Sequence, residues 1–199
     1  HFYPVVDKRY VTFHSHGEDD SRNYSHLQEV VDILRPILDK EGIKICQLGA
    51  EKDVPISNCE SFLNKTSINQ CSYLLNKSLL HFGVDSFLLH VASFHNTPIV
   101  GLYSNKPKEI TRPLWNKESQ VLIESFDNYP SYASSENPKT INRIGPESIC
   151  IEVLDALKIP HKLKEYKTIS IGGLYYNPVF EVVPDFIPSP DFFPNTLLN

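Results

Sequence analysis

Methionine is missing altogether from the 199 residues, and the chain opens on His1. Both facts give the expectation of a piece of a longer protein, with something upstream. Long apolar runs are missing too. Nothing approaches the roughly 20 residues that cross a bilayer, and no leader-like segment opens the chain. The expectation is a soluble protein of the cytoplasm with no transmembrane segment. No Lys/Arg cluster occurs, and the formal net charge is -5. A nucleic-acid groove needs a basic stripe to neutralise phosphates, so no nucleic acid is expected as a partner. A small anion needs only a local site and stays open.

The four cysteines, Cys46, Cys59, Cys71 and Cys150, include no C-x-x-C pair. Cys46 lies in an apolar strand pattern and Cys150 in a helical one, which favours buried thiols over disulfides or zinc. Sequons at Asn23, Asn64 and Asn76 matter only in a secreted protein. There is no G-x-S-x-G elbow, no P-loop and no G-x-G-x-x-G turn. A serine hydrolase, a kinase and a dinucleotide dehydrogenase therefore lose their sequence support.

What is present is a hydrophobic content of 41%, enough for the core of one large domain or one domain with an appendage. Arg9 to Ser15 alternates as a strand, and the polar HGEDDSRNY follows. Ser25 stands where it would cap a helix on which Leu27, Val30, Val31, Leu34 and Leu38 recur at helical spacing. Pro36 predicts a bend or break in that helix, and Gly42 its end. IKICQLG supplies the next strand, and Ala50 to Asn64 reads as loop with at most a short strand. Thr66 or Ser67 caps a helix over INQCSYLLNK. The most informative stretch is Leu79 to Tyr103: a buried strand, a turn bearing Asp85 and Ser86, a helix carrying His90 on its second turn, and a second buried strand. A strand that stops at Asp-Ser and passes straight into a helix sets a carboxylate, a hydroxyl and unpaired N–H groups together, which suits a phosphate.

Beyond Tyr103 come a Pro-containing loop with the single tryptophan, a strand at VLIES, a long polar loop, and a helix opening on Pro146. The tail carries strand-like KTISIGG and EVV, then PDFIPSPDFFP, too rich in proline for regular structure. Alternating strands and helices with short apolar runs predict an α/β fold, a Rossmann-like parallel sheet with helices on both faces. The domain is assigned to residues 1–165, and 166–199 to a C-terminal extension or linker. Ligands in such sheets lie beyond the carboxyl ends of the strands, where HSHGEDDSR, LGAEKD and the Asp85–Ser86 pair all fall. His14, His16, Asp19, Asp20 and His90 offer a metal set on paper, but polar loop residues are the default reading, and no metal is expected.

This order of motifs, with Lys65-Thr66-Ser67-Ile68 before a helix and then GVDSFLLHVAS and PIVGLYS, resembles the carboxyl-terminal, donor-binding half of the heptosyltransferase-like GT-B glycosyltransferases, the ADP-heptose:LPS heptosyltransferase type. The resemblance spans about Tyr10 to Leu157, and its most specific element is D-S-x-x-x-H-x-A at Asp85, Ser86, His90 and Ala92. It implies that Asp85, Ser86 and the N–H groups of Phe87 and Leu88 meet the diphosphate of a nucleotide-sugar, with His90 nearby. By the same resemblance Ser15, His16 and Gly17 form the turn beside the phosphates, and Arg22 is a cation for the diphosphate or the transferred sugar. Gly49, Ala50, Glu51, Lys65 and Thr66 fall where the nucleoside is held. Phe87 departs from the family's usual glycine. The general base is expected in an upstream N-terminal domain outside this chain, so enzymatic activity is expected only with that domain. The implied partners are a nucleotide-sugar and an acceptor glycan or other hydroxyl, with no cofactor and no metal. The alternative is a non-catalytic module that kept the fold.

Overall fold

The computed structural model describes residues 9–125 and 130–163, and the backbone of 170–172 and 181–183. Six strands form one parallel sheet: β1 (Tyr10–His14), β2 (Lys44–Gln47), β3 (Glu60–Ser61), β4 (His81–Val84), β5 (Ile99–Tyr103) and β6 (Gln120–Glu124). Their spatial order is β3-β2-β1-β4-β5-β6, so the direction of winding reverses between β1 and β4. In sheets of this order the crevice at the reversal is the ligand position.

Five helices connect or cover the strands: α1 (Leu27–Lys40), α2 (Ile68–Lys77), α3 (Phe87–Phe94), the single turn α4 (Lys108–Thr111) and α5 (Pro146–Ala156). The pleat sends alternate residues to opposite faces. Val11, Phe13, Phe82 and Val84 meet α1 and α5 on one face, and the Phe13 and Phe82 rings stack with centroids 5.2 Å apart. Tyr10, Cys46 and Ile99 meet α2 and α3 on the other. Leu27, Val30, Val31, Leu34 and Leu38 are all buried, as their spacing requires, and each such side chain contributes about 1.5–3 kcal/mol. The four cysteines are free thiols.

Several expectations change. Ser25 does not cap α1, whose N-cap is His26 without a side-chain bond; the Ser25 backbone N–H and hydroxyl are both taken by the Asn142 amide, at 3.0 Å each. The helix also runs through Pro36 to Lys40 without a break. Pro36 lies on the exposed side, so the Asp32 carbonyl that loses its helical donor is open to water. Gly42 does end α1, at φ +66°. Of the two candidate caps of α2 it is Ser67, in a reciprocal capping box with Gln70. KTISIGG and EVV contribute β7 (Ser170–Gly172) and β8 (Glu181–Val183), an antiparallel pair. The proline-rich PDFIPSPDFFP and the boundary after residue 165 lie outside the described residues.

At the reversal the two central strands approach closely. Gly83 on β4 has φ +150°, and a Cβ there would be driven into the His14 carbonyl and amide of β1. Only glycine fits, on both counts.

Candidate functional site

Two loops leave the sheet side by side at this point. The first, after β1, runs from Ser15 through a 3-10 turn at Asp20–Arg22. The Gly17 N–H donates to Asn23 Oδ1 at 2.9 Å, and Ser21 N–H to the Ser134 carbonyl at 3.0 Å. A Cβ at Gly17 would stand 3.0 Å from Arg22 Cβ and 3.2 Å from the Asp85 carbonyl, so this glycine lets the loops meet. The second loop is Asp85–Ser86, with Ser86 capping α3 by accepting the Leu88 N–H at 3.3 Å.

Arg22 joins them. Its guanidinium lies 3.0 Å from Asp19, 3.4 Å from Asp85 and 3.9 Å from Glu18. Asp19 also receives Lys106 at 2.5 Å. Asp85 is buried, and burial holds its carboxyl above the ordinary range while Arg22 pulls it down.

His14 lies beneath both loops. Its Nε2 meets the His16 carbonyl and its Nδ1 lies 3.1 Å from Ser86 Oγ. A carbonyl can only accept, so Nε2 carries the proton and Nδ1 accepts from the Ser86 hydroxyl. Burial pushes this imidazole down to about 4, which keeps it neutral. The Ser86 hydrogen is thereby turned inward, and Ser86 Oγ already takes the Leu88 N–H. Donors for an anion at this helix start come from backbone, not from the serine hydroxyl.

Two adjoining cavities open here. One of about 510 Å³ is lined by His14, His16, Gly17, Arg22, Gly49, Ala50, Asp53, Thr66, Ser86 and Phe87, among others. The second, about 460 Å³, is lined by Arg22, Asp85, Ser86, Phe87 and His90 together with Arg112, Leu114 and Trp115. The structure thus gathers eleven of the thirteen residues picked from the sequence, counting Ser15, whose hydroxyl is 2.8 Å from His16 Nδ1. It leaves two aside. Glu51 is exposed and lines neither cavity, and Lys65 points its ammonium at the Ser61 carbonyl, 2.9 Å away. The paper metal set does not come together: among the described residues no group of three or more His, Cys, Asp or Glu could hold a metal ion.

Sequence reasoning missed Asp53. Its carboxylate fills the space a Gly49 side chain would need, accepts the Ala50 N–H at 2.8 Å and faces His16 Nδ1 at 3.8 Å. An acidic residue three positions after Gly-Ala is a turn signal that was available. It also missed Arg112 and Trp115, which sit in a segment read only as loop.

The heptosyltransferase model of glycosyltransferase family 9 matches residues 23–140, more than half of the chain. The chain belongs to that family. Glycosyltransferases of known structure share its fold. Heptosyltransferase II of E. coli, an ADP-heptose LPS enzyme, superposes with TM-score 0.61 at 21% identity over 76% of this chain and 47% of its own. A family 9 glycosyltransferase from Veillonella parvula gives 0.62 at 17% identity over 78% and 47%. The iron-containing dodecameric glycosyltransferase TibC from enterotoxigenic E. coli gives 0.62 at 13% over 83% and 50%. The chain therefore spans about half the length of these solved structures, as one Rossmann-like half of a GT-B-type fold. A putative UDP-N-acetylglucosamine 2-epimerase from Listeria monocytogenes also matches, with TM-score 0.52 at 16% identity over 79% of this chain and 39% of its own. The fold alone thus does not name the reaction. No curated protein matches in sequence. Among the described residues no helix is long and apolar enough to cross a membrane.

Proposed function

We propose that this chain is the carboxyl-terminal, donor-binding half of a GT-B glycosyltransferase that moves a sugar from a nucleoside diphosphate to an acceptor hydroxyl, working with a domain outside this chain. The observation that carries the reading is the meeting of Arg22, Asp85 and the start of α3 at the sheet reversal, with a cavity on either side. The larger cavity, by Gly49, Ala50 and Thr66, takes the nucleoside. The backbone N–H groups at the start of α3 take the diphosphate. As the glycosidic bond breaks, negative charge grows on the leaving diphosphate, and these fixed dipoles and cations stabilise it without reorganising. The acceptor hydroxyl needs a base, and neither His14, buried and bonded at both ring nitrogens, nor Asp85, tied to Arg22, is free to act as one. That step belongs to the other domain.

A second reading, a non-catalytic binding module, is favoured by one observation. Phe87, at the first position of α3, is 57% exposed and stands over the site where a close backbone approach needs a small residue.

Calorimetric titration with ADP, UDP, GDP and CDP and their sugars, with Mg²⁺ and after chelation, separates the two. The expected outcome is binding of one nucleotide, indifferent to chelation and weakened about tenfold or more by Asp85→Ala, since that carboxylate holds Arg22 in place. Absence of binding by every member in a folded protein would leave the non-catalytic module standing.

A further inference from the structure

We propose that the smaller cavity is a phosphoryl subsite built on Arg112, taking the terminal phosphoryl group of a bound nucleoside diphosphate. This rests on the nucleotide reading above.

The cation that the sequence singles out is the wrong one to carry that group alone. Arg22 faces three carboxylates, at 3.0, 3.4 and 3.9 Å, and the Asp85 side chain is only 5% exposed, so water screens it little. The Arg22 guanidinium is thus committed to bracing its own two loops before any ligand arrives. Arg112 has a different environment. Among the described residues it has no ion pair with a carboxylate. Its Nη2 makes one long bond, 3.3 Å to Gln120 Oε1; its Nε, like that of Arg22, is buried with no partner. The Arg112 guanidinium, at the wall of the smaller cavity, thus keeps donors that no carboxylate among the described residues occupies.

The bland role, clamping Gln120 at the start of β6, is already filled. Gln120 Nε2 donates to the Pro113 carbonyl at 3.1 Å and the Trp115 carbonyl at 2.5 Å. The path into the subsite is also defined, because Arg22, Ser86 and Phe87 line both cavities. A nucleotide with its base beside Gly49 and Thr66 passes the start of α3 and delivers its last phosphoryl to the Arg112 side. The planar guanidinium fork suits two phosphoryl oxygens at once.

The test compares mono- with diphosphates on the full chain: AMP with ADP, UMP with UDP, GMP with GDP and CMP with CDP, for Arg112→Gln, Arg112→Lys and the unaltered protein, with thermal unfolding alongside. Arg112→Gln should weaken the diphosphate about tenfold or more and leave the monophosphate within about twofold, with Arg112→Lys between. An equal loss for both nucleotides, or a lower melting temperature with the ratio unchanged, makes Arg112 structural and overturns the subsite. An unaltered chain that binds mono- and diphosphates alike also overturns it while the nucleotide site stands. If no nucleotide binds at all, the nucleotide reading falls and takes the subsite with it.

Discussion

His14 is 5% exposed, tied at both ring nitrogens, and 6.3 Å ring to ring from a second buried histidine, His81. Its ordinary pKa of 6.5 falls to about 4 in the fold. Between those values the unfolded chain binds a proton that the folded chain refuses, so stability falls as pH is lowered through that window. One histidine gives a slope of at most about 1.4 kcal/mol per pH unit. His81 is pushed down by its own burial and by His14, and steepens the fall. Asp85 works the other way near the acid end, since its carboxyl titrates above the ordinary 3.8. Urea denaturation between pH 7 and 4 should show the decline, and His14→Gln should remove one histidine's share of it. A flat profile would mean that His14 is not held neutral. At this scale the sequence was legible where polar residues follow the end of a strand pattern: Arg22, Asp85, Ser86 and His90 line one cavity beyond β1 and β4. Asp53 was legible as a local turn residue and was passed over, whereas Arg112 was not legible, because it joins Arg22 and Asp85 at one cavity only once the sheet has formed.

Elements were legible in proportion to their length. The five buried positions of α1 follow from periodicity and β5 from a short apolar run set between turn residues, whereas β3, with two residues, and α4, with four, are too short to carry either signal. Caps fail for a different reason. Ser25 and Ser67 look alike in sequence, but Asn142, 117 positions away, claims Ser25, while Ser67 finds Gln70 three residues on. The two serines therefore make a matched pair. Ser67→Ala should cost about 1 kcal/mol by removing a true cap, and Ser25→Ala about half of that or less, since its bond to Asn142 is exposed. Chemical denaturation of both variants checks this; equal losses would mean that the box at Ser67 adds nothing to α2.

For the whole molecule, strand and helix alternation foretold a parallel sheet, but not that β1 would lie between β2 and β4. That order is a long-range outcome, and it is what gathers the polar loops into one place. Among the described residues, the six strands of the parallel sheet and the five helices all end by Ala156. A chain ending at residue 165 should therefore keep its unfolding midpoint within about 3 °C, as a change below about 1 kcal/mol would leave it. A larger drop in a thermal scan would show that residues 166–199 belong to the domain's core.

Gly83 shows how this arrangement is gauged. The spacing between the two loops is set by an atom that is not there: one methyl at this position would wedge the central strands apart at the root of both loops. Residues that touch a ligand can be exchanged one at a time while the pocket keeps its shape. The floor under them tolerates no such trade, and the tolerance of the pocket to change is decided in a strand that no ligand ever reaches.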